Sequence, residues 1–125
     1  MRAFKTKSFA RLARQEGVGD AVLRKAIERA EQGLIDADLG GNVIKQRVGL
    51  RGSHRILVLY RAGHLAFFAF VFAKNTRANV SRKELEALQD AAETFLAYAP
   101  ADIARALKER TLIEVDLDDE NDDEA

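Results

Sequence analysis

Residues 45–55 read KQRVGLRGSHR, gathering Lys45, Arg47, Arg51, His54 and Arg55 with no acidic residue among them. Lysine and arginine can act on a phosphodiester without a metal. A base takes the proton of a ribose 2′-OH, arginines stabilise the charge that develops on the phosphate, and an acid protonates the leaving oxygen. Arg51, Arg55 and Lys74 suit the phosphate role, and Lys45 or Tyr60 the proton-transfer role. His54 and His64 both read as turn residues, and His54 is the better functional candidate because it sits inside the cluster and is of the type that titrates near neutral pH. A second basic group follows in Lys74, Asn75, Arg77, Asn79, Arg82 and Lys83. For both groups the alternative reading is a solvated basic surface. For Tyr60 it is a core or rim tyrosine.

The elements that would position these groups are strands. VIKQRV (Val43–Val48), HRILVLYR (His54–Arg61) and LAFFAFVFA (Leu65–Ala73) are rich in β-branched and aromatic residues and separated by short glycine-bearing links. An antiparallel meander is the economical reading. Alternation then puts Lys45 and Arg47 on one face. If the hairpin turns near Arg51, Arg47 and Arg55 stand opposite each other, each four residues from the turn. Like charges so placed cost up to about 1 kcal/mol, a penalty that a bound polyanion removes. A one-residue slip in register would separate them. The rings of Tyr60, Phe67, Phe68, Phe70 and Phe72 read as core, with the third strand of the meander central and covered on one side by helices.

Around the meander, residues 2–5 read as a short strand. Ser8 is the expected N-cap of a helix over Phe9–Glu16, and Asp20 that of a helix over Ala21–Gln32, together an αα-hairpin. Residues 36–42 (DADLGGN) read as a loop. Ser81-Arg82-Lys83-Glu84 fits a capping box opening a helix to about Tyr98. Pro100 starts another helix, and LIEV (Leu112–Val115) reads as a last short strand. The expected fold class is α+β, with two N-terminal helices and the C-terminal helices packed on a small antiparallel sheet.

Composition excludes several other chemistries. A chain of 125 residues suits one domain, expected over residues 1–115. Cysteine is absent, so there is no thiolate nucleophile or cysteine metal site, and with two histidines a histidine-built metal site would need several carboxylates. No metal and no cofactor are expected. The first residues, MRAFKTKSF, lack the apolar stretch of a signal peptide, and no apolar run reaches the roughly 18 residues that span a bilayer. A soluble cytoplasmic protein, with no membrane partner, is the expectation. The net charge of zero hides an asymmetry: residues 116–125 hold seven of the 20 acids and no base, leaving 20 bases against 13 acids, or +7, in residues 1–115. A basic body suits a polyanion, and the acidic tail reads as a solvated, disordered segment.

The run VIKQRVGLRGSHRILVLYR followed by LAFFAFVFAKN resembles the RelE/HigB-like toxins of bacterial type II toxin–antitoxin modules, over about Phe4 to Val115. The resemblance implies a compact α+β ribonuclease without metal that enters the ribosomal A site and cuts translated mRNA, using the 2′-OH as nucleophile and leaving a cyclic phosphate. It matches Lys45 and Arg47 to the basic pair of the family's second strand, Arg55 to the arginine opening the third, and Lys74 with Asn75 to the ending of the next. The catalytic set it implies is Lys45, Arg47, Arg55 and Lys74. The wider RNA-binding set is Arg51, His54, Tyr60, Asn75, Arg77, Arg82 and Lys83. The turn between KQR and SHR is shorter here than in many relatives, and no C-terminal tyrosine matches that of some of them. Implied partners are the ribosome, mRNA and a cognate antitoxin, often of helix-turn-helix type. A non-catalytic RNA- or ribosome-binding module and a ParE-type inhibitor of DNA gyrase are the alternatives. The density of cations on the central strands argues against the gyrase inhibitor.

Overall fold

The computed structural model describes residues 1–118; from residue 119 on, the acidic tail expected over 116–125 lies outside the described residues. The chain runs β1 (Arg2–Thr6), α1 (Lys7–Glu16), α2 (Asp20–Glu31), β2 (Ala37–Asp38), β3 (Val43–Val48), β4 (His54–Arg61), β5 (Leu65–Ala73), α3 (Arg82–Phe95), α4 (Pro100–Glu109) and β6 (Leu112–Val115). It is an α+β fold around one six-stranded sheet ordered β2-β3-β4-β5-β1-β6. The meander β3–β4–β5 is antiparallel, as its short links require. The sheet as a whole is mixed, however, because β1 lies parallel to β5, with Phe4 beside Phe67. Sequence alone did not bring β1 between β5 and β6; the αα-hairpin of α1 and α2 carries the chain from β1 across to β2 at the far edge of the sheet.

Helices cover both faces of the sheet, not the one expected. On one face, α1 and α2 bury Phe9, Leu23 and Ile27 against Ile56, Val58 and Phe68. On the other, α3 and α4 bury Ala92, Leu96 and Ile103 against Val43, Leu57, Leu59 and Phe67. The near-continuous apolar run of β5 follows from this two-sided burial. Phe67 alone meets three rings, at 5.4 Å from Phe4, 5.2 Å from Phe95 and 6.4 Å from Tyr98. Burying one such side chain is worth roughly 2–3 kcal/mol.

Two helix starts differ from expectation. Thr6, not Ser8, caps α1: it ends β1 in an extended conformation and its hydroxyl accepts from the Phe9 amide. Gly19, not Asp20, is the N-cap of α2. Asp20 already lies in the first turn, where it accepts from Lys5 at 2.9 Å and faces the positive end of the helix. The expected box at Ser81 is formed in full: Ser81 Oγ accepts from the Glu84 amide, and Glu84 accepts from the Ser81 amide. The loop expected over 36–42 contains the two-residue strand β2.

Candidate functional site

The register of β3 on β4 places Arg47 opposite Arg55 and Lys45 opposite Leu57. Lys45, Arg47 and Arg55 share the α3 side of the sheet, as strand alternation from the buried Val43 and Leu57 dictates. The tip of the β3–β4 hairpin is a 3-10 turn over Leu50–Gly52 entered through Gly49 at φ 80°. A Cβ on Gly49 would collide with Ser53 Oγ, so the turn needs glycine there. Arg51 is held at φ 56°, in the left-handed region that a side chain rarely adopts.

Hydrogen bonds fix this tip against the end of β5. Arg55 donates to the Gly52 carbonyl at 2.7 Å and to the His54 carbonyl at 3.2 Å. The Lys74 amide donates to the Ser53 carbonyl at 3.0 Å, and the Lys74 ammonium to the Arg51 carbonyl at 3.3 Å. The structure thus brings Lys74 to the same hairpin end as Arg51 and Arg55, across 19 or more residues of sequence.

The link from β5 to α3 supplies the other wall. The Arg77 guanidinium lies over the rings of Phe70 and Phe72, at 5.7 and 5.3 Å from their centroids. Both its terminal nitrogens donate to Glu84. Its Nε donates to the Asn79 carbonyl at 3.1 Å, and the Asn79 side-chain oxygen accepts from Lys45 at 3.2 Å. Asn79 therefore ties Lys45 on β3 to Arg77 on the loop. The Arg77 guanidinium and the Ser81 amide together hold the Glu84 carboxyl down at about 2. Asn75 is exposed in the turn after Lys74, and Arg82 and Lys83 are exposed on the first turn of α3, with Arg82 3.4 Å from Glu86.

Two expected residues face the other way. His54 pairs with Val48 in the ladder and points to the α1 side. Its Nε2 is bonded to Glu16 at 2.9 Å and its Nδ1 to Ser53 Oγ at 2.9 Å. Tyr60 is buried in the α1–α2 core and donates to Glu31. Burial first, and then the Glu31 carboxylate, push the phenol well above its ordinary value. Neither side chain belongs to the cation face; alternation along β4 separates both from Arg55.

The sequence reading passed over the groups that hold the cations in place. Phe70 and Phe72 read as core, yet Phe70 is only half-buried and both rings carry Arg77. Glu84 read as a cap alone. Asp36 accepts from the Arg47 amide at 2.7 Å and from Arg29 at 3.2 Å. Burial raises the Asp36 carboxyl, but those bonds and the charges of Arg29 and Arg47 outweigh it and leave it lowered. Among the described residues no group of three or more His, Cys, Asp or Glu side chains is placed to hold a metal ion, and no helix is long and apolar enough to cross a membrane.

Comparison with curated proteins and with solved structures returned no significant match. Comparison with protein families matches residues 1–115 to the family described as the RelE toxin of the RelE/RelB toxin–antitoxin system. That match spans every strand and helix described above, including both walls of the cation face. The chain belongs to the RelE toxin family of toxin–antitoxin systems.

Proposed function

We propose that the protein is an endoribonuclease that cuts mRNA on the ribosome and so inhibits translation. The observation that carries this reading is the direct pairing of Arg47 with Arg55 beside Lys45, a concentration of positive charge that folding alone disfavours. A phosphodiester seated over the pair gives both guanidiniums a bidentate partner. Lys45, steadied by Asn79, takes the proton of the ribose 2′-OH as the free amine. The 2′-oxygen then attacks the phosphorus, Arg47, Arg55 and Lys74 stabilise the charge on the phosphoryl oxygens, and the bond to the 5′-oxygen breaks as that oxygen takes a proton from water. The products are a 2′,3′-cyclic phosphate and a 5′-hydroxyl. Arg51, Asn75, Arg77, Arg82 and Lys83 extend the positive surface along which RNA runs. The antitoxin partner of helix-turn-helix type and the cytoplasmic site of action go with the same reading.

One observation favours a second reading, a non-catalytic RNA- or ribosome-binding module. His54 and Tyr60 both point to the opposite face, so the cation face has neither an imidazole nor the phenol considered for proton transfer. Induced expression of the wild type and of Lys45→Ala/Arg55→Ala, with primer extension across a translated message, separates the two. The nuclease reading expects growth arrest with new mRNA ends in the wild type and neither in the variant. Arrest without new ends sinks it in favour of the binding module. DNA-damage signalling in place of mRNA cuts points instead to gyrase.

A further inference from the structure

A groove of about 350 Å³ runs between α2 and the tip of the β3–β4 hairpin, away from the walls of the cation face. Val22, Ala26 and Leu50 give it an apolar lining, and Lys25, Arg29 and Arg47 form its rim. Leu50 is 85% exposed, more than any other large hydrophobic residue described. The tip that carries it is not free to fold the leucine away. Gly52 and Ser53 amides close the turn on the Gly49 and Leu50 carbonyls, Lys74 and Arg55 bond its other carbonyls, and Ser53 is tied through His54 to Glu16. Folding by itself gains nothing from fixing an isobutyl group in water.

Charge narrows what could cover it. Asp36 is the carboxylate that engages the rim, accepting from Arg29 and from the Arg47 amide. Among the described residues the Lys25 ammonium and the Arg47 guanidinium make no hydrogen bond. The backbone edge of β3 is closed here, since the Arg47 amide is held by Asp36 and its carbonyl accepts from Arg29 at 3.4 Å. An incoming strand therefore has no ladder to join, and a partner must hold by side chains, one apolar and others negative.

We propose that an acidic segment of the cognate antitoxin seats in this groove, burying an apolar side chain against Leu50, Val22 and Ala26 and setting a carboxylate on Lys25. Docking rests on family membership and on this geometry.

The test measures the affinity of the wild type, Leu50→Ser and Lys25→Glu for the antitoxin encoded beside the toxin, across a salt series. Each variant is expected to weaken binding about 30-fold or more, as loss of a central anchor does. The wild-type affinity should fall steeply with salt. A benzophenone side chain at position 50 should cross-link to an acidic stretch of the antitoxin. Leu50→Ser should still arrest growth when expressed alone yet escape rescue by the antitoxin. Unchanged affinity in both variants overturns the proposal, as does a cross-link to a second toxin chain or to ribosomal RNA. If binding changes as expected while no mRNA is cut by any form, the nuclease reading falls and the docking site stands.

Discussion

Arg47 and Arg55 stand directly opposite each other across the β3–β4 ladder, on the side of the sheet that α3 covers. Arg55 is braced by the Gly52 and His54 carbonyls, whereas the Arg47 side chain is exposed and makes no hydrogen bond among the described residues. Arg47 thus braces no carbonyl of the hairpin tip, and its charge is set between repulsion from Arg55 and attraction to the Asp36 carboxylate that its own amide also holds.

Arg47→Ala removes the repulsion from Arg55, worth up to about 1 kcal/mol, together with the attraction to Asp36, so stability in urea denaturation should stay within about 1 kcal/mol of the wild type. In the same variant, cleavage of a translated message should fall at least about 100-fold, as loss of a transition-state donor does. A large loss of cleavage with stability nearly unchanged marks a residue kept for a ligand. A loss of stability would mean that Arg47 supports the fold instead. Arg55→Ala is the less informative variant because it also leaves the Gly52 carbonyl without its 2.7 Å partner.

Acid should weaken the wall that holds Lys45. The Glu84 carboxyl is depressed from an ordinary value of 4.5 to about 2 by Arg77 and the Ser81 amide. Because the folded value is the lower one, the stability Glu84 contributes is fully present above about pH 4.5. It is lost as the pH falls from there towards about 2. Thermal melts of the wild type and Glu84→Gln should differ most above pH 5 and converge as the pH approaches 2. A gap that stays constant through this range would show that the carboxylate charge is not what Arg77 and the Ser81 cap depend on.

How much of this was legible beforehand differs from residue to residue, for physical reasons. Strand alternation and loop length are local, and they were enough to place Lys45, Arg47 and Arg55 on one face and to pair the two arginines. The parallel docking of β1 beside β5 is a long-range contact with no local signal; nothing in RAFKT names its neighbour. The same holds for Asn79, noted only as one of a polar run, whose two oxygens link β3 to the β5–α3 loop. Alternation could also have flagged Gln46. It lies between Ile44 and Val48 on the α2 side, fully buried, donating to the Ala26 and Leu34 carbonyls and accepting from the Asp36 amide. A glutamine on a core face is uncommon unless such partners exist. His54 and Tyr60 show the opposite failure: proximity in sequence grouped them with the cations, and the pleat put them on the other face.

Tyr60 turns that separation into a measurement. Its hydroxyl donates to the Glu31 carboxylate, which also accepts from the Gly63 amide at 3.0 Å, so the pair pins the β4–β5 turn to the end of α2. Tyr60→Phe removes the phenol's bond and should cost about 1–2 kcal/mol at neutral pH. The phenol titrates well above its ordinary 10.0 in the folded protein, so the folded state keeps its proton where the unfolded chain has lost it. That stability is fully present below about pH 10 and drains away as the pH rises further, so the gap between wild type and Tyr60→Phe should narrow in alkali. Cleavage and growth arrest should be unchanged in Tyr60→Phe, because the hydroxyl faces α2 while the phosphodiester is assigned to the face under α3. A stable Tyr60→Phe that no longer cuts RNA would move the chemistry to the opposite side of the sheet, and Lys45, Arg47 and Arg55 would then be the binding surface rather than the reacting one.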